Sequence, residues 1–197
     1  MDRKNASRSH VRTRVSKQDW LKAALDLLVT GGIEAVRVER LAANLDVAKS
    51  GFYYHFAERG DLHEALLDYW LTLDSEPIQL ITGMKEATPV DRLRAVGDIV
   101  DRLNLSKVDA AIRQWAKQDA KVRRVWTAQS KKRLGFLRDQ FGLLGFTGDE
   151  NEMRARAFLL LGANERNFFP DLKGKDRARL RELRLQVLIK TQDDGAA

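Results

Sequence analysis

The residues best suited to bind another molecule lie in one short segment, residues 38–56, with the sequence VERLAANLDVAKSGFYYHF. Within it, Lys49, Ser50, Tyr53 and Tyr54 fall at the start and on one side of a short predicted helix. An ammonium group and three hydroxyls can donate hydrogen bonds to phosphate oxygens or to the edges of nucleic-acid bases, and tyrosine rings can touch a thymine methyl. This chemistry is recognition, not bond breaking.

The composition argues against catalysis and against a metal or other cofactor. The chain of 197 residues has no cysteine and three histidines, which are His10, His55 and His63 and lie in unrelated contexts. Neither a thiolate metal site nor a histidine-based triad can be built from such a set, and no phosphate-binding loop is present. We therefore expect no enzyme activity, no metal and no cofactor. The formal net charge of +7 instead suggests an anionic partner.

The hydrophobic pattern predicts an all-α protein. Apolar residues recur at helical spacing, no useful strand pattern occurs, and the three prolines are expected between helices. Ser16 is a good N-cap for the first helix, and the pair Gly31-Gly32 should end it. The predicted helices cover residues 17–30, 38–45, 49–55, 58 onward, 89 onward, 107–118, 120–144, 149–167 and 175–191.

Residues 38–56 have the features of a helix-turn-helix. Ala42 is the small residue at which two steeply crossing helices can touch, and apolar side chains such as Leu45 and Phe52 fill the wedge between them. The turn needs a residue with a positive φ, for which we predict Asp46. The second helix of such a unit enters the major groove of DNA.

The stretch from Trp20 to Leu66 resembles the DNA-binding domain of the TetR family, most clearly in LAANLDVAKSGFYYHFAERGDL, residues 41–62. Asp46 stands where the family has glycine, Ala48 where it often has a capping hydroxyl, and Arg37 where it often has serine or threonine. The resemblance implies that Tyr53 contacts phosphate, and that the helix after the turn reads the groove. The predicted DNA-binding residues are Arg37, Lys49, Ser50, Gly51, Tyr53, Tyr54, His55 and Arg59.

The resemblance also implies a domain arrangement. We expect a basic arm over residues 1–15, a three-helix DNA-binding domain over residues 16–62, a helical effector-binding and dimerisation domain over residues 63–192, and a tail over residues 193–197. Residues 1–17 hold six Lys or Arg against one acid, so the arm either follows the DNA or serves only solubility.

The remaining two-thirds of the chain carries weaker signals. The last two predicted helices are too apolar for a single buried face, which favours a dimer interface. Its predicted residues are Phe158, Leu161, Leu180, Leu183 and Val187. The predicted walls of an effector pocket, for which ordinary core packing is the alternative, are Trp70, Leu103, Asn104, Trp115, Trp126, Phe136 and Asn164.

Lys and Arg residues recur from Lys117 to Arg138, and all but Lys117 lie on the predicted helix over residues 120–144. Such a run is typically a solvated face, and the alternative is that it attracts an acidic effector. Taken together, the sequence predicts a cytoplasmic, homodimeric regulator that binds double-stranded operator DNA, has no membrane partner, and is a repressor released by a small-molecule effector. The alternatives are a DNA-binding structural or cell-division regulator without an effector, and an enzyme.

Overall fold

The computed structural model describes residues 15–172 and 174–190, and the predicted arm and tail therefore lie outside the described residues, apart from Val15. This part of the chain is all-α, as predicted, with no strand. Its helices are α1 (Lys17–Gly31), α2 (Val38–Asn44), α3 (Ser50–Tyr53), α4 (Arg59–Thr82), α5 (Pro89–Arg102), α6 (Leu105–Trp115), α7 (Ala120–Leu143), α8 (Gly148–Phe168) and α9 (Gly174–Ile189).

The ends of the first helices follow from local chemistry. The Ser16 hydroxyl accepts a hydrogen bond from the Asp19 backbone N–H at 3.2 Å, and the Asp19 carboxylate accepts one from the Ser16 N–H at 2.9 Å. This reciprocal pair satisfies two donors that the first turn of α1 would otherwise leave unpaired. Gly32 ends α1 with a φ of 69°, as predicted. Asp46 has a φ of 50° in the turn after α2, which confirms the expected left-handed residue.

Pro77 corrects one prediction. It lies inside α4, not between helices. An interior proline removes one helical hydrogen bond and costs about 3 kcal/mol in an exposed helix. Here the helix continues because residues beyond the proline pack against the bundle. Ile81, for example, is buried, and such burial offsets the missing bond.

The first apolar core joins the N-terminal helices to the middle of the chain. Trp20, Phe52 and Leu66 are fully buried in it, together with Ile112 of α6 and Val122 of α7. Since α4 also runs without interruption from residue 59 to residue 82, one helix and one core cross the predicted domain boundary at residue 62. That boundary remains a prediction.

The second apolar core lies in the C-terminal half and includes buried side chains from α5, α7, α8 and α9. Its buried members are Leu93, Leu137, Phe141, Phe146, Ala155, Phe158 and Leu185. Phe158 was predicted at a dimer interface, but it is only 6% exposed within its own subunit. Its ring packs against Phe141 at a centroid distance of 6.3 Å, so it lies in this core and not among the exposed apolar side chains of α8 and α9.

Candidate nucleic-acid interface and central cavity

The short helix α3 is held against the N-terminal core by one side chain. Phe52 is fully buried, and its ring packs edge-on against Trp20 at a centroid distance of 5.7 Å and at a tilt against Phe56 at 5.1 Å. A helix of this length has almost no stability of its own. Its position therefore depends on this aromatic anchor.

The opposite side of α3 presents two adjacent aromatic side chains to solvent. Tyr53 is 62% exposed and Tyr54 is 67% exposed. Neighbouring helix positions point about 100° apart, so the pair covers a broad surface. Ser50 precedes them on the same exposed side, and Gly51 is partly buried beside Trp20. Exposing two large aromatic residues is unfavourable in an isolated protein and is typical of a binding surface.

Charged side chains border this surface. Lys49 forms an exposed ion pair with Glu39 of α2, with an Nζ–Oε1 distance of 3.0 Å. The backbone N–H of Glu39 and the Lys49 ammonium together lower the pKa of the Glu39 carboxyl. Arg37 is exposed, and its Nε donates to the backbone carbonyl of Glu34 at 2.9 Å.

His55 and Arg59 hold neighbouring backbone in place. The His55 Nε2 lies 3.0 Å from the carbonyl oxygen of Val15, so this contact connects the end of α3 to the chain before α1. Arg59 donates from Nε to the Val36 carbonyl and from Nη2 to the Ile33 carbonyl, both at 3.0 Å. Both side chains have structural contacts in addition to their predicted role toward DNA.

A partly open cavity of about 90 Å³ lies in the larger half of the chain. It is bounded by residues of α4 to α9, and most of its wall is apolar. The apolar side chains in the wall are Pro77, Ile78, Ile81, Val96, Ile99, Val100, Leu105, Phe136, Leu137, Phe158, Leu159 and Ala163.

Of the predicted pocket residues, Phe136 is the one that lines this cavity. Trp70 stacks on Trp126 at 5.7 Å and belongs to the first core, as does Trp115. The other three predicted residues lie elsewhere. Leu103 is exposed, Asn104 occupies the left-handed turn before α6 with a φ of 53°, and the Asn164 amide donates to the carbonyl of Leu160 in its own helix. The tryptophans predicted to line a pocket belong to the core instead, because large rings fill the space that a pocket must leave open.

His63 of α4 is partly buried. Its ring packs edge-on against Trp115 at 5.6 Å, and its Nε2 is buried with no hydrogen-bond partner among the described residues. Burial, together with the nearby charge of Arg59, lowers the pKa of His63. The ring lies between α4 and α6, and its surroundings disfavour the protonated form.

A first ion-pair group connects α4, α6 and α7 at the cavity wall. The Arg133 guanidinium contacts Asp109 at 2.6 Å and also contacts Asp74. Trp70 donates from its indole N–H to Asp109 at 3.2 Å, and Gln129 donates to Asp74. Burial alone would lower the pKa of Arg133, but the bonds and charges of Asp109 and Asp74 outweigh it and raise that pKa.

A second ion-pair group lies in the wall formed by α5, α8 and α9. Asp101 accepts from Arg166 at 3.0 Å and from Arg181 at 2.8 Å, and Arg184 contacts Glu165 at 3.3 Å. Gly97 makes room for this arrangement, because a Cβ there would lie 3.1 Å from Cδ of Arg181. This group was not predicted from the sequence, although Arg177, Arg181 and Arg184 follow helical spacing on one face of α9.

The outer faces of α8 and α9 expose apolar side chains. Leu161 is 49% exposed and Val187 is 71% exposed, and other members of this outer apolar face are Met153, Leu160, Phe168, Leu180 and Leu183. Four of the five predicted dimer residues belong to it, with Phe158 excluded. The Lys and Arg residues of the predicted basic face are exposed from Lys117 to Arg138 with the exception of Arg133, whose side chain is 14% exposed.

The comparisons with known proteins agree with this architecture. Residues 21–66 match the family model described as bacterial regulatory proteins, tetR family. No curated protein matches the chain at a significant level of sequence similarity. None of the helices in the described part of the chain is both long enough and apolar enough to cross a membrane.

Solved structures share the fold at low sequence identity. A transcriptional regulator from Rhodococcus sp. Rha1 aligns with a TM-score of 0.67 at 18% identity, over 89% of this chain and 94% of the other. FadR from Bacillus subtilis in complex with stearoyl-CoA gives a TM-score of 0.65 at 18% identity, over 89% and 98%. AibR in complex with isovaleryl coenzyme A and operator DNA gives 0.64 at 22% identity, over 87% and 95%.

Proposed function

Through residues 21–66 the chain belongs to the tetR family of bacterial regulatory proteins, and on that premise we propose that it is a dimeric repressor released from operator DNA by a small molecule. The observation that carries the proposal is the exposed pair Tyr53 and Tyr54 on a helix fixed from behind by Phe52. A rigid helix with hydroxyls and rings on its outer side suits the major groove.

The DNA-binding surface consists of Arg37, Lys49, Ser50, Gly51, Tyr53, Tyr54, His55 and Arg59. On DNA, Lys49 leaves Glu39 for a phosphate or a guanine, and Tyr53 donates to a phosphate. His55 acts by holding the chain before α1, as its contact with Val15 suggests. Residues 16–62 are assigned to DNA binding and residues 63–192 to effector binding and dimerisation.

The outer apolar face of α8 and α9 is assigned to the dimer. Two copies joined there would bury Leu161, Leu180, Leu183 and Val187, which are exposed in one chain. A dimer of this kind places two recognition helices in successive major grooves about 34 Å apart, so the operator should be close to palindromic.

Helix α4 connects the two activities. Its first residue, Arg59, holds the segment before α2 through the Ile33 and Val36 carbonyls, and its last turns line the cavity at Ile78 and Ile81. A ligand in the cavity that tilts α4 would change the separation of the two recognition helices. DNA affinity then falls because both half-sites are no longer met together. The complexes of FadR with stearoyl-CoA and of AibR with isovaleryl coenzyme A, two proteins of similar fold, support a small-molecule ligand for this chain.

Selection from a pool of random duplexes tests DNA recognition. The purified protein should enrich one near-palindromic sequence over several rounds, with affinity that falls steeply as salt rises. Uniform weak binding with no enriched sequence, both alone and with cell extract added, would contradict a sequence-specific regulator and favour a structural DNA-binding role.

A cavity-filling variant tests the effector step. Ala163→Phe places a ring in the cavity wall and should retain operator binding while losing release by a small-molecule fraction that releases the wild-type protein. Retained operator binding serves as the folding control. Equal release of the variant and the wild type would show that the cavity is not the effector site.

A further inference from the structure

The second ion-pair group has more positive than negative charge. Arg166, Arg177, Arg181 and Arg184 face two cavity-lining carboxylates, Asp101 and Glu165. Asp98 contacts Arg181 as well, but its side chain is 53% exposed. The same wall therefore holds at least one guanidinium without a matching carboxylate among the described residues.

Two donors in this group lack hydrogen-bond partners in the described part of the chain. Arg177 is 5% exposed, and its Nη1 has no hydrogen bond, because the nearest carboxylate oxygen, on Glu165, is 3.9 Å away. The Nε of Arg184 is likewise buried and without a hydrogen bond. Burial, opposed by the charge of Glu165, lowers the pKa of Arg184, but a guanidinium stays charged near neutral pH.

A buried charge without a partner is costly, and a buried donor without an acceptor adds to that cost. An anion placed beside both side chains would remove both penalties. Around this group the wall is apolar, with Val100, Leu159 and Ala163 among the residues that complete it. The site is therefore an apolar space with a cationic wall at α9, while Arg133 with Asp74 and Asp109 forms a separate, acidic part of the lining.

We propose that the cavity binds a molecule with an apolar chain and an acidic group, and that the acidic group accepts hydrogen bonds from Arg177 and Arg184 of α9. The proposal rests on the proposed function, since it names the chemical class of the effector. It differs from attraction by the exposed basic face of α7, because these two guanidiniums lie in the cavity wall. The acidic group is either the carboxylate of the free acid or a phosphate of the coenzyme A thioester of the same chain.

Calorimetric titration of the full-length protein tests the proposal without DNA. The probes are octanoate, octanoyl coenzyme A and octanol, which share a chain and differ in charge. Binding of octanoate places the acid on a free carboxylate, whereas binding of octanoyl coenzyme A alone places it on the thioester's phosphates. Octanol should bind at least about 10-fold more weakly than the acidic probe, because it cannot take the charged hydrogen bonds.

The key variant is Arg184→Gln, which should weaken binding of the acidic probe by about 10- to 100-fold and leave octanol binding unchanged. Arg177 is less suitable because it also donates to the Phe169 and Leu172 carbonyls, so its replacement would disturb the end of α8. The matched control is Arg179→Gln on the same helix, whose side chain is 66% exposed and outside the cavity. It should bind the probes as the wild type does.

Glu165→Gln should raise the affinity for the acidic probe, whereas Arg184→Gln should lower it. A merely structural ion pair would not produce this difference. Removing this carboxylate frees Arg177 and Arg184 for the ligand, so affinity for the acidic probe should rise by about threefold or more, the direction expected when a competing charge is removed. Weaker or unchanged binding of the acid by this variant would overturn the proposal, as would equal binding of octanol and the acids.

Failure of this inference is distinguishable from failure of the proposed function. If the acids bind through Arg184 but do not release operator DNA, the inference stands and the release mechanism fails. If neither acid binds while a neutral extract component releases the DNA, the proposed function stands and the inference is overturned.

Discussion

The two halves of the molecule use charge in opposite ways. At the DNA-binding end the core is apolar and aromatic, and a charged pair such as Lys49 with Glu39 lies on the surface, with side chains 58% and 62% exposed. At the cavity end the outer faces of α8 and α9 expose apolar side chains, and charged groups such as Arg133 and Arg177 are largely or fully buried. A rigid core with exposed charged groups suits a partner that binds at the surface. Buried charges with incomplete hydrogen bonding suit a ligand that binds inside the cavity.

The largest expected effect concerns the aromatic anchor. Phe52→Ala should lower the free energy of unfolding by about 3–5 kcal/mol, because it empties a fully buried site. Phe136→Ala should cost clearly less, since one side of that ring already borders the cavity. Chemical denaturation of both variants checks this. Equal decreases in stability would show that the cavity wall is as tightly packed as the N-terminal core.

The ion pairs should follow the same contrast. Arg133→Met leaves Asp74 and Asp109 buried without their cation and should destabilise the protein by about 3–5 kcal/mol. Lys132→Met, the exposed neighbour, should change stability by less than about 0.5 kcal/mol. Replacing Arg133, Asp74 and Asp109 together with uncharged residues should restore most of the stability. A triple variant as unstable as Arg133→Met would contradict the role assigned to the charges.

Much of the DNA-binding end was predictable because its signals are local. Ala42, Asp46 and Phe52 lie close together in the chain, and their spacing alone specifies the turn and the anchor. The cavity was not predictable in this way. Arg133 contacts Asp74 and Asp109 across 59 and 24 positions, and Arg181 contacts Asp101 across 80. No local sequence pattern indicates such distant pairings. The prediction therefore placed Arg133 on the solvated basic face with the neighbouring lysines.

The pocket prediction failed for a related physical reason. Large aromatic residues such as Trp70 and Trp126 were assigned to its walls, but they stack on each other in the first core. In contrast, the sequence does not identify the charged side chains that line the cavity as pocket residues, since arginine is usually found at the protein surface. The prediction that Pro77 lies between helices was also wrong, because tertiary packing stabilises α4 on both sides of the proline.

The pH dependence of stability should report on His63, which lies where the two halves meet. Its pKa is lower in the folded protein than in the unfolded chain, so the unfolded chain takes up its proton first. Stability should therefore be independent of this group above about pH 6.5 and should fall as the pH drops below that value, by at most about 1.4 kcal/mol per pH unit. His63→Gln should flatten this part of the profile. An unchanged profile would exclude His63 as its source.

A smaller effect is expected from a substitution at Gly51, which should change protein stability and operator affinity in opposite directions. A Cβ there would lie 3.6 Å from Trp20, an ordinary contact. Gly51→Ala should therefore stabilise α3, by about 0.5–1 kcal/mol. If Gly51 serves close approach to DNA, the same variant should bind operator more weakly. Weaker operator binding with no gain in stability would contradict this expectation.

The most direct test of the central claim is the affinity of Lys49→Gln and Tyr53→Phe for the selected operator across a salt series, with Lys117→Gln as the exposed control. We predict that each recognition variant weakens binding, and that Lys49→Gln reduces the salt slope by about one, the change expected when one cation no longer meets a phosphate. The control should match the wild type. Wild-type affinity and slope in both recognition variants would contradict the assignment of α3 as the DNA-reading helix.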